Sequence, residues 1–135
     1  MDKNKLIFIV DDDPVINMLV TRRLTTNGYN VKAFRYGEDC LKELDADPDL
    51  IILDYYFVSE NKEVMNGMEV FNRIKELKPK NHVIILSGQE KGEIVLELAR
   101  KGIDDYVIKD HNLIDNLIIS VRDTLKRDNY LRTKL

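Results

Sequence analysis

Several residue types are scarce in this chain of 135 residues: there is one cysteine, there are three prolines and six glycines, and tryptophan is absent. A lone Cys40 excludes an intramolecular disulfide. In Cys40-Leu41-Lys42-Glu43-Leu44, which reads as a short helix, it is expected to be a half-buried, inert thiol. The two histidines, His82 and His111, stand far apart without metal-ligand spacing. One falls where a strand begins and the other where a helix opens, and neither is assigned a catalytic role. No apolar run approaches the roughly 20 residues that span a bilayer. The start, Met1-Asp2-Lys3-Asn4-Lys5, leads into only five apolar residues, too few for a signal peptide. A cytoplasmic location without membrane contact is therefore expected. Neither sign of charge dominates, with 21 Lys and Arg against 24 Asp and Glu, a net charge of −3. Nothing in that balance calls for direct DNA binding. Repeats, low-complexity tracts and linkers are also missing. The expectation is one domain over 1–135, with 126–135 as a helical extension or tail and no output domain.

What remains is a globular composition, 44% hydrophobic and 33% charged, with enough apolar material for a core. Four apolar runs carry the information, and each ends in a polar residue. Leu6-Ile7-Phe8-Ile9-Val10 ends in Asp11-Asp12-Asp13, and Leu50-Ile51-Ile52-Leu53 ends in Asp54. Val83-Ile84-Ile85-Leu86 ends in Ser87, and Tyr106-Val107-Ile108 in Lys109. Continuous apolar strands belong to parallel sheets covered on both faces.

Helical patterns separate the runs. Asp13-Pro14 reads as an N-cap and first helical residue. From there Ile16, Leu19, Val20 and Leu24 recur at helical spacing until Asn27-Gly28. A short strand over 30–34 and a helix over 37–46 follow, the helix stopping before Pro48. Met68, Val70, Phe71, Ile74 and Leu77 mark the third helix, and Ile94, Val95, Leu98 and Ala99 the fourth. Leu113, Leu117, Ile118, Val121 and Leu125 mark the last. Strands are predicted at 5–10, 30–34, 50–54, 82–87 and 104–109. Strict alternation predicts an α/β fold, a doubly wound five-stranded parallel sheet in the flavodoxin-like order 2-1-3-4-5, with helices on both faces and right-handed crossovers. The switch point then lies between the strands ending in Asp11-Asp12 and Asp54.

In such a sheet the carboxyl ends of the strands form the ligand crevice. Carboxylates crowded there either raise a pKa or recruit a cation. Mg²⁺ suits them, because it takes one or two carboxylates and completes its shell with water and phosphate oxygen. Lys109 supplies a mobile positive charge that can pair with Asp54 or a phosphoryl oxygen, and Ser87 a hydroxyl donor. Phosphoryl transfer needs positioning and charge neutralisation above all. Asp54 is the candidate nucleophile, forming an aspartyl phosphate.

These four strand-end motifs, in this order and spacing, make the chain resemble the receiver domains of two-component response regulators, over about 5–125. The resemblance implies that Asp54 accepts phosphate from a phosphohistidine on a sensor histidine kinase or histidine phosphotransfer protein. It implies Mg²⁺ held directly by Asp12 and Asp54, through water by Asp11, and by the backbone carbonyl of Tyr56. Gly88 and Gln89 would flank the phosphoryl group, with Gln89 and Tyr56 tuning its hydrolysis. Ser87 and Tyr106 would switch together, remodelling the surface of the fourth helix, fifth strand and fifth helix for a downstream protein partner. The activity implied is self-catalysed phosphoryl transfer and autodephosphorylation, not that of an enzyme with an external substrate. Whether phosphorylation drives a homodimer is left open.

The chain departs from the family pattern in places. Asp110 follows Lys109 where proline is usual, so that peptide is either trans or a costly cis. The loop after Asp54 is long, with Ser59-Glu60-Asn61-Lys62-Glu63 as a polar insertion before Gly67. Two other readings stand beside the leading one. Asp11-Asp12-Asp13-Pro14-Val15 also satisfies the Asp-x-Asp-x-Val pattern of haloacid-dehalogenase-like phosphatases, although Asp104-Asp105 then precede Lys109 in the wrong order. A receiver fold kept only as an interaction scaffold is the third.

Overall fold

A computed structural model describes residues 5–55, 65–88 and 92–134, with the backbone alone over 128–134. The expectations on Tyr56, Gln89 and the insertion at 59–63 lie outside the described residues. Five strands, β1 (Leu6–Val10), β2 (Asn30–Phe34), β3 (Leu50–Asp54), β4 (His82–Ser87) and β5 (Asp105–Ile108), form one sheet in the order β2-β1-β3-β4-β5. Every pairing is parallel. The helices are α1 (Pro14–Thr26), α2 (Gly37–Lys42), α3 (Gly67–Leu77), α4 (Gly92–Arg100) and α5 (Leu113–Lys134). No described helix is long and apolar enough to cross a membrane.

The strands sort their side chains by parity, as a pleat requires. Ile7, Ile9, Leu50, Ile52, Ile84 and Leu86 pack with Val20 and Leu24 of α1 and Leu117, Val121 and Leu125 of α5. Phe8, Val10, Ile51, Leu53, Val83 and Ile85 pack on the other face with Cys40, Val70, Phe71, Ile74 and Leu98. The Cys40 thiol is buried, and burial followed by the charge of Glu43 pushes its pKa up to about 12, so it stays protonated.

Some expectations need correction. Leu19, 43% exposed, faces outward with Val15 and Met18, and Leu77 is also exposed. Ala99 is exposed as well, leaving Leu98 as the buried residue of α4. The second helix ends at Lys42, and 44–46 tighten into a 3₁₀ turn before Asp47 takes a left-handed conformation at φ 54°. Asp47 precedes Pro48, whose ring disfavours the right-handed helical region for its predecessor. The last strand is Asp105–Ile108, shorter at both ends than 104–109.

Asp104 stands just before β5, where its carboxylate meets His82 Nδ1 at 2.9 Å and accepts the Val83 N–H at 2.8 Å. Burial pushes its pKa up, but these two hydrogen bonds, with the charges of His82 and Lys75, hold it below the ordinary value of 3.8. A depressed carboxylate contributes stability that is present above the unfolded pKa and lost as pH falls through the folded one. Asp104→Asn is expected to lower stability near neutrality and to narrow its gap from the wild type below about pH 4; urea denaturation at a series of pH values checks this.

Candidate functional site

The carboxyl edge of the sheet collects the residues singled out in the sequence. Asp11 follows β1 and is wholly buried, and Asp54 closes β3 with 2% exposure. Ser87 closes β4, also buried, and Lys109 follows β5. Asp12 is half-buried beside them. One carboxylate oxygen from each of Asp11, Asp12 and Asp54 lies within 4.8 Å of the others. Three hard oxygen donors at that separation fit a hard divalent cation such as Mg²⁺.

Lys109 supplies the counter-charge. Its Nζ lies 2.8 Å from Asp11 Oδ2 and 3.1 Å from Asp54 Oδ1. Pairing with Asp54 was expected from the sequence; the shorter contact is to Asp11. Burial pulls the ammonium pKa down, yet the hydrogen bond to Asp11 and the charge of Asp54 outweigh it and hold Lys109 above its ordinary value. It therefore stays charged between the two acids. Its own N–H donates to the Ser87 carbonyl at 2.9 Å, which continues the β4–β5 pairing past the strand end.

Asp11 is engaged at both oxygens, because Oδ1 accepts the Asp13 N–H at 2.9 Å. Asp13 caps α1 as expected, accepting the Val15 N–H at 2.9 Å, with Pro14 as the first helical residue. The Lys109–Asp110 peptide is trans, like every peptide bond among the described residues. Asp110 does what a proline side chain cannot: its Oδ1 accepts the Asn112 N–H at 2.8 Å, while its carbonyl accepts the Leu113 N–H at 3.1 Å. The turn into α5 is fixed by these bonds.

Gly67 opens α3 directly against the acceptor strand. A Cβ there would lie 2.3 Å from the Tyr55 carbonyl oxygen and 2.7 Å from that of Asp54. Asn66 and Glu69 form a capping box on the same turn, with Glu69 N–H donating to Asn66 Oδ1 at 2.9 Å. A Cβ on Gly88, the residue after Ser87, would meet nothing within 4 Å among the described residues. Tyr106 on β5 is half-buried against the cluster of Phe8 and Ile85.

Two contributors were not visible in the sequence. Asn17 of α1 donates to the Asp11 carbonyl at 2.7 Å, and Glu38 of α2 accepts the Met65 N–H at 3.3 Å where the chain re-enters α3. Both contacts join segments that no local pattern connects.

Comparison with known proteins shows the family and the fold. The Response regulator receiver domain family matches residues 7–121. The nitrogen assimilation regulatory protein NtrX of Azorhizobium caulinodans is 31% identical over 121 residues, 89% of this chain and 26% of that protein. The transcriptional regulatory protein TrcR of Mycobacterium tuberculosis is 25% identical over 126 residues, 93% of this chain and 47% of that protein. The chain thus spans less than half the length of these curated relatives. Among solved structures, the signal receiver domain of a Luxo repressor protein from Vibrio parahaemolyticus superposes with a TM-score of 0.84 at 24% identity, covering 96% of both chains. The BeF3-activated DrrB receiver domain of Thermotoga maritima gives 0.77 at 33% identity, covering 91% of this chain and 98% of that one.

Proposed function

Because the chain belongs to the response regulator receiver domain family of two-component signalling, we propose that Asp54 accepts a phosphoryl group from a phosphohistidine of a sensor kinase or phosphotransfer protein. The observation that carries this reading is the convergence of Asp11, Asp12 and Asp54 within 4.8 Å under a single bridging ammonium. An Asp54 oxygen attacks phosphorus as the phosphorus–nitrogen bond of the donor breaks and the imidazole departs with its electron pair. Asp12 and Asp54 would hold Mg²⁺ directly and Asp11 would reach it through water, as the family resemblance implies. The family resemblance would add the backbone carbonyl of Tyr56, which lies outside the described residues. Mg²⁺, when bound, offsets the charge gathered on the phosphoryl oxygens.

Lys109 leaves Asp54 as the acceptor oxygen is consumed and pairs with a phosphoryl oxygen. Ser87 donates its hydroxyl to another, and Tyr106 follows inward. Gln89 and Tyr56 control the access of water and hence autodephosphorylation. The surface of α4, β5 and α5, with Leu96 and Ile119 exposed on it, is read by a downstream protein. The dehalogenase-like alternative makes Asp11 the nucleophile and leaves Asp54, a member of the same cluster, without a role.

With Mg²⁺ and acetyl phosphate, intact-mass spectrometry is expected to record the gain of one phosphoryl group. The gain is expected to vanish without Mg²⁺ and in Asp54→Asn. Persistence in Asp54→Asn, with loss in Asp11→Asn, would support the phosphatase reading, and no gain in the wild type would support the scaffold.

A further inference from the structure

We infer that Asn17 is a positioning residue for the acidic cluster: its side-chain amide fixes the Asp11–Asp12 peptide and thereby aims the Asp12 carboxylate at a divalent cation. The inference rests on the metal-binding reading of the site. β1 makes its last ladder pairs at Val10, with Phe34 on one side and Leu53 on the other. One residue on, the Asp11 N–H still donates to the Phe34 carbonyl at 3.1 Å, but among the described residues no backbone N–H donates to the Asp11 carbonyl. Asn17 provides it. Its Nδ2 donates to that carbonyl at 2.7 Å and to the Phe34 carbonyl at 3.3 Å. The end of β1, the end of β2 and the first turn of α1 are joined in one ring of hydrogen bonds.

The geometry follows from the sequence. Helical side chains lean toward the helix N-terminus, so a residue four past the Asp13 cap reaches back over the strand end. Both partners are carbonyls, so only the NH₂ side of the amide can face them. That orientation leaves Asn17 Oδ1 buried without a hydrogen-bond partner among the described residues, as is Thr21 Oγ1 one turn later. An unpaired buried acceptor is unfavourable, and the amide is held there by its donor side. Asp12 has no side-chain anchor of its own among the described residues, so the peptide before it sets where its Cα stands and hence which positions its carboxylate can reach.

The test uses Asn17→Leu, which keeps the approximate volume and deletes the donors, Asn17→Gln, which keeps the amide on a longer arm, and Thr21→Val as a control on the same helix. Mg²⁺ affinity is read by calorimetric titration, and hydrogen exchange at the Asp11 amide is followed in the metal-free protein. Asn17→Leu is expected to weaken Mg²⁺ binding about tenfold, the usual scale for losing a group that orients a metal ligand, and to speed exchange before any metal is added. Asn17→Gln falls between, and Thr21→Val leaves the affinity as in the wild type. A lowered melting temperature with wild-type Mg²⁺ affinity in Asn17→Leu would overturn the inference, leaving Asn17 a structural tie. Should Asn17→Leu not fold, wild-type affinity and exchange in Asn17→Gln would overturn it equally. An equal loss in Thr21→Val would do so too, by assigning the effect to α1 as a whole. Failure of the wild type to bind Mg²⁺ would instead remove the reading of the site on which the inference rests.

Discussion

Gly67→Ala is expected to remove about 3 kcal/mol of stability, the upper end of what overpacking a tight site costs, and to slow phosphoryl uptake about 100-fold. Both effects have one cause. The added methyl would stand 2.3 Å from the Tyr55 carbonyl oxygen and 2.7 Å from that of Asp54. Both obstacles are backbone of the acceptor strand, so no rotamer change relieves the clash. Either α3 withdraws, opening the packing of Val70, Phe71 and Ile74 on the sheet, or the end of β3 moves. The second response displaces the nucleophile itself, and a misplacement of about 1 Å in such a site costs about 10²-fold in rate. The strand can shift little, because the Tyr55 N–H is tied to the Leu86 carbonyl at 2.9 Å. Urea denaturation reads the first effect, and the rate of mass gain with acetyl phosphate reads the second. Wild-type stability and rate together would mean that α3 does not approach the acceptor strand this closely in solution. A Cβ at Gly88 meets nothing, so Gly88→Ala serves as the control and is expected to leave stability unchanged.

The strand ends were legible because buried parallel strands are written as uninterrupted apolar runs, and whatever polar residue closes such a run must lie at the sheet edge. Asp11, Asp54, Ser87 and Lys109 follow from that rule alone, and the order of the sheet follows from strict alternation together with a strand count of five, which fits the flavodoxin-like arrangement. Helix faces were less legible. Leu19 and Val20 are both apolar, and spacing does not decide which of two neighbours faces the sheet. Val20 is buried with Leu24, whereas Leu19 joins Val15 and Met18 in an outward strip. The left-handed turn at Asp47 arises from Pro48, which restricts the residue before it, a restriction that apolar periodicity does not record. Asn17 and Glu38 were invisible for a different reason. Their partners are backbone groups of Asp11, Phe34 and Met65, and backbone carries no signature in sequence. The preference of Lys109 for Asp11 was likewise out of reach, since it depends on tenths of an ångström between two acids on neighbouring strands.

Lys109→Met is expected to destabilise the protein by about 3 kcal/mol at neutral pH, the low end for removing one partner of a buried ion pair. That corresponds to a fall in melting temperature of about 10 °C for a domain of this size. Methionine retains most of the stem and its packing, so the loss isolates the charge. Asp11 and Asp54 would remain at 0% and 2% exposure without the ammonium that lies 2.8 and 3.1 Å from them. Two conditions should restore stability in the variant while helping the wild type less. Mg²⁺ replaces the missing positive charge and binds only the folded site, stabilising it in proportion to RT ln(1 + [Mg²⁺]/Kd). Mild acid lets the folded variant take up a proton at the crowded acids that its unfolded chain does not, so its stability rises as pH falls. The wild type has the opposite dependence at the other end of the scale. Its Lys109 pKa is raised by folding, so the stabilisation is complete below the ordinary lysine value of about 10.4 and is lost as pH rises through the folded value. The difference in stability between wild type and variant should therefore be level through neutrality, narrow in acid as the variant recovers, and narrow again in strong alkali as Lys109 deprotonates. Thermal melts of both proteins across pH, with and without Mg²⁺, measure it. A variant as stable as the wild type at neutral pH without Mg²⁺ would mean that Lys109 is not the counter-ion of the two buried acids.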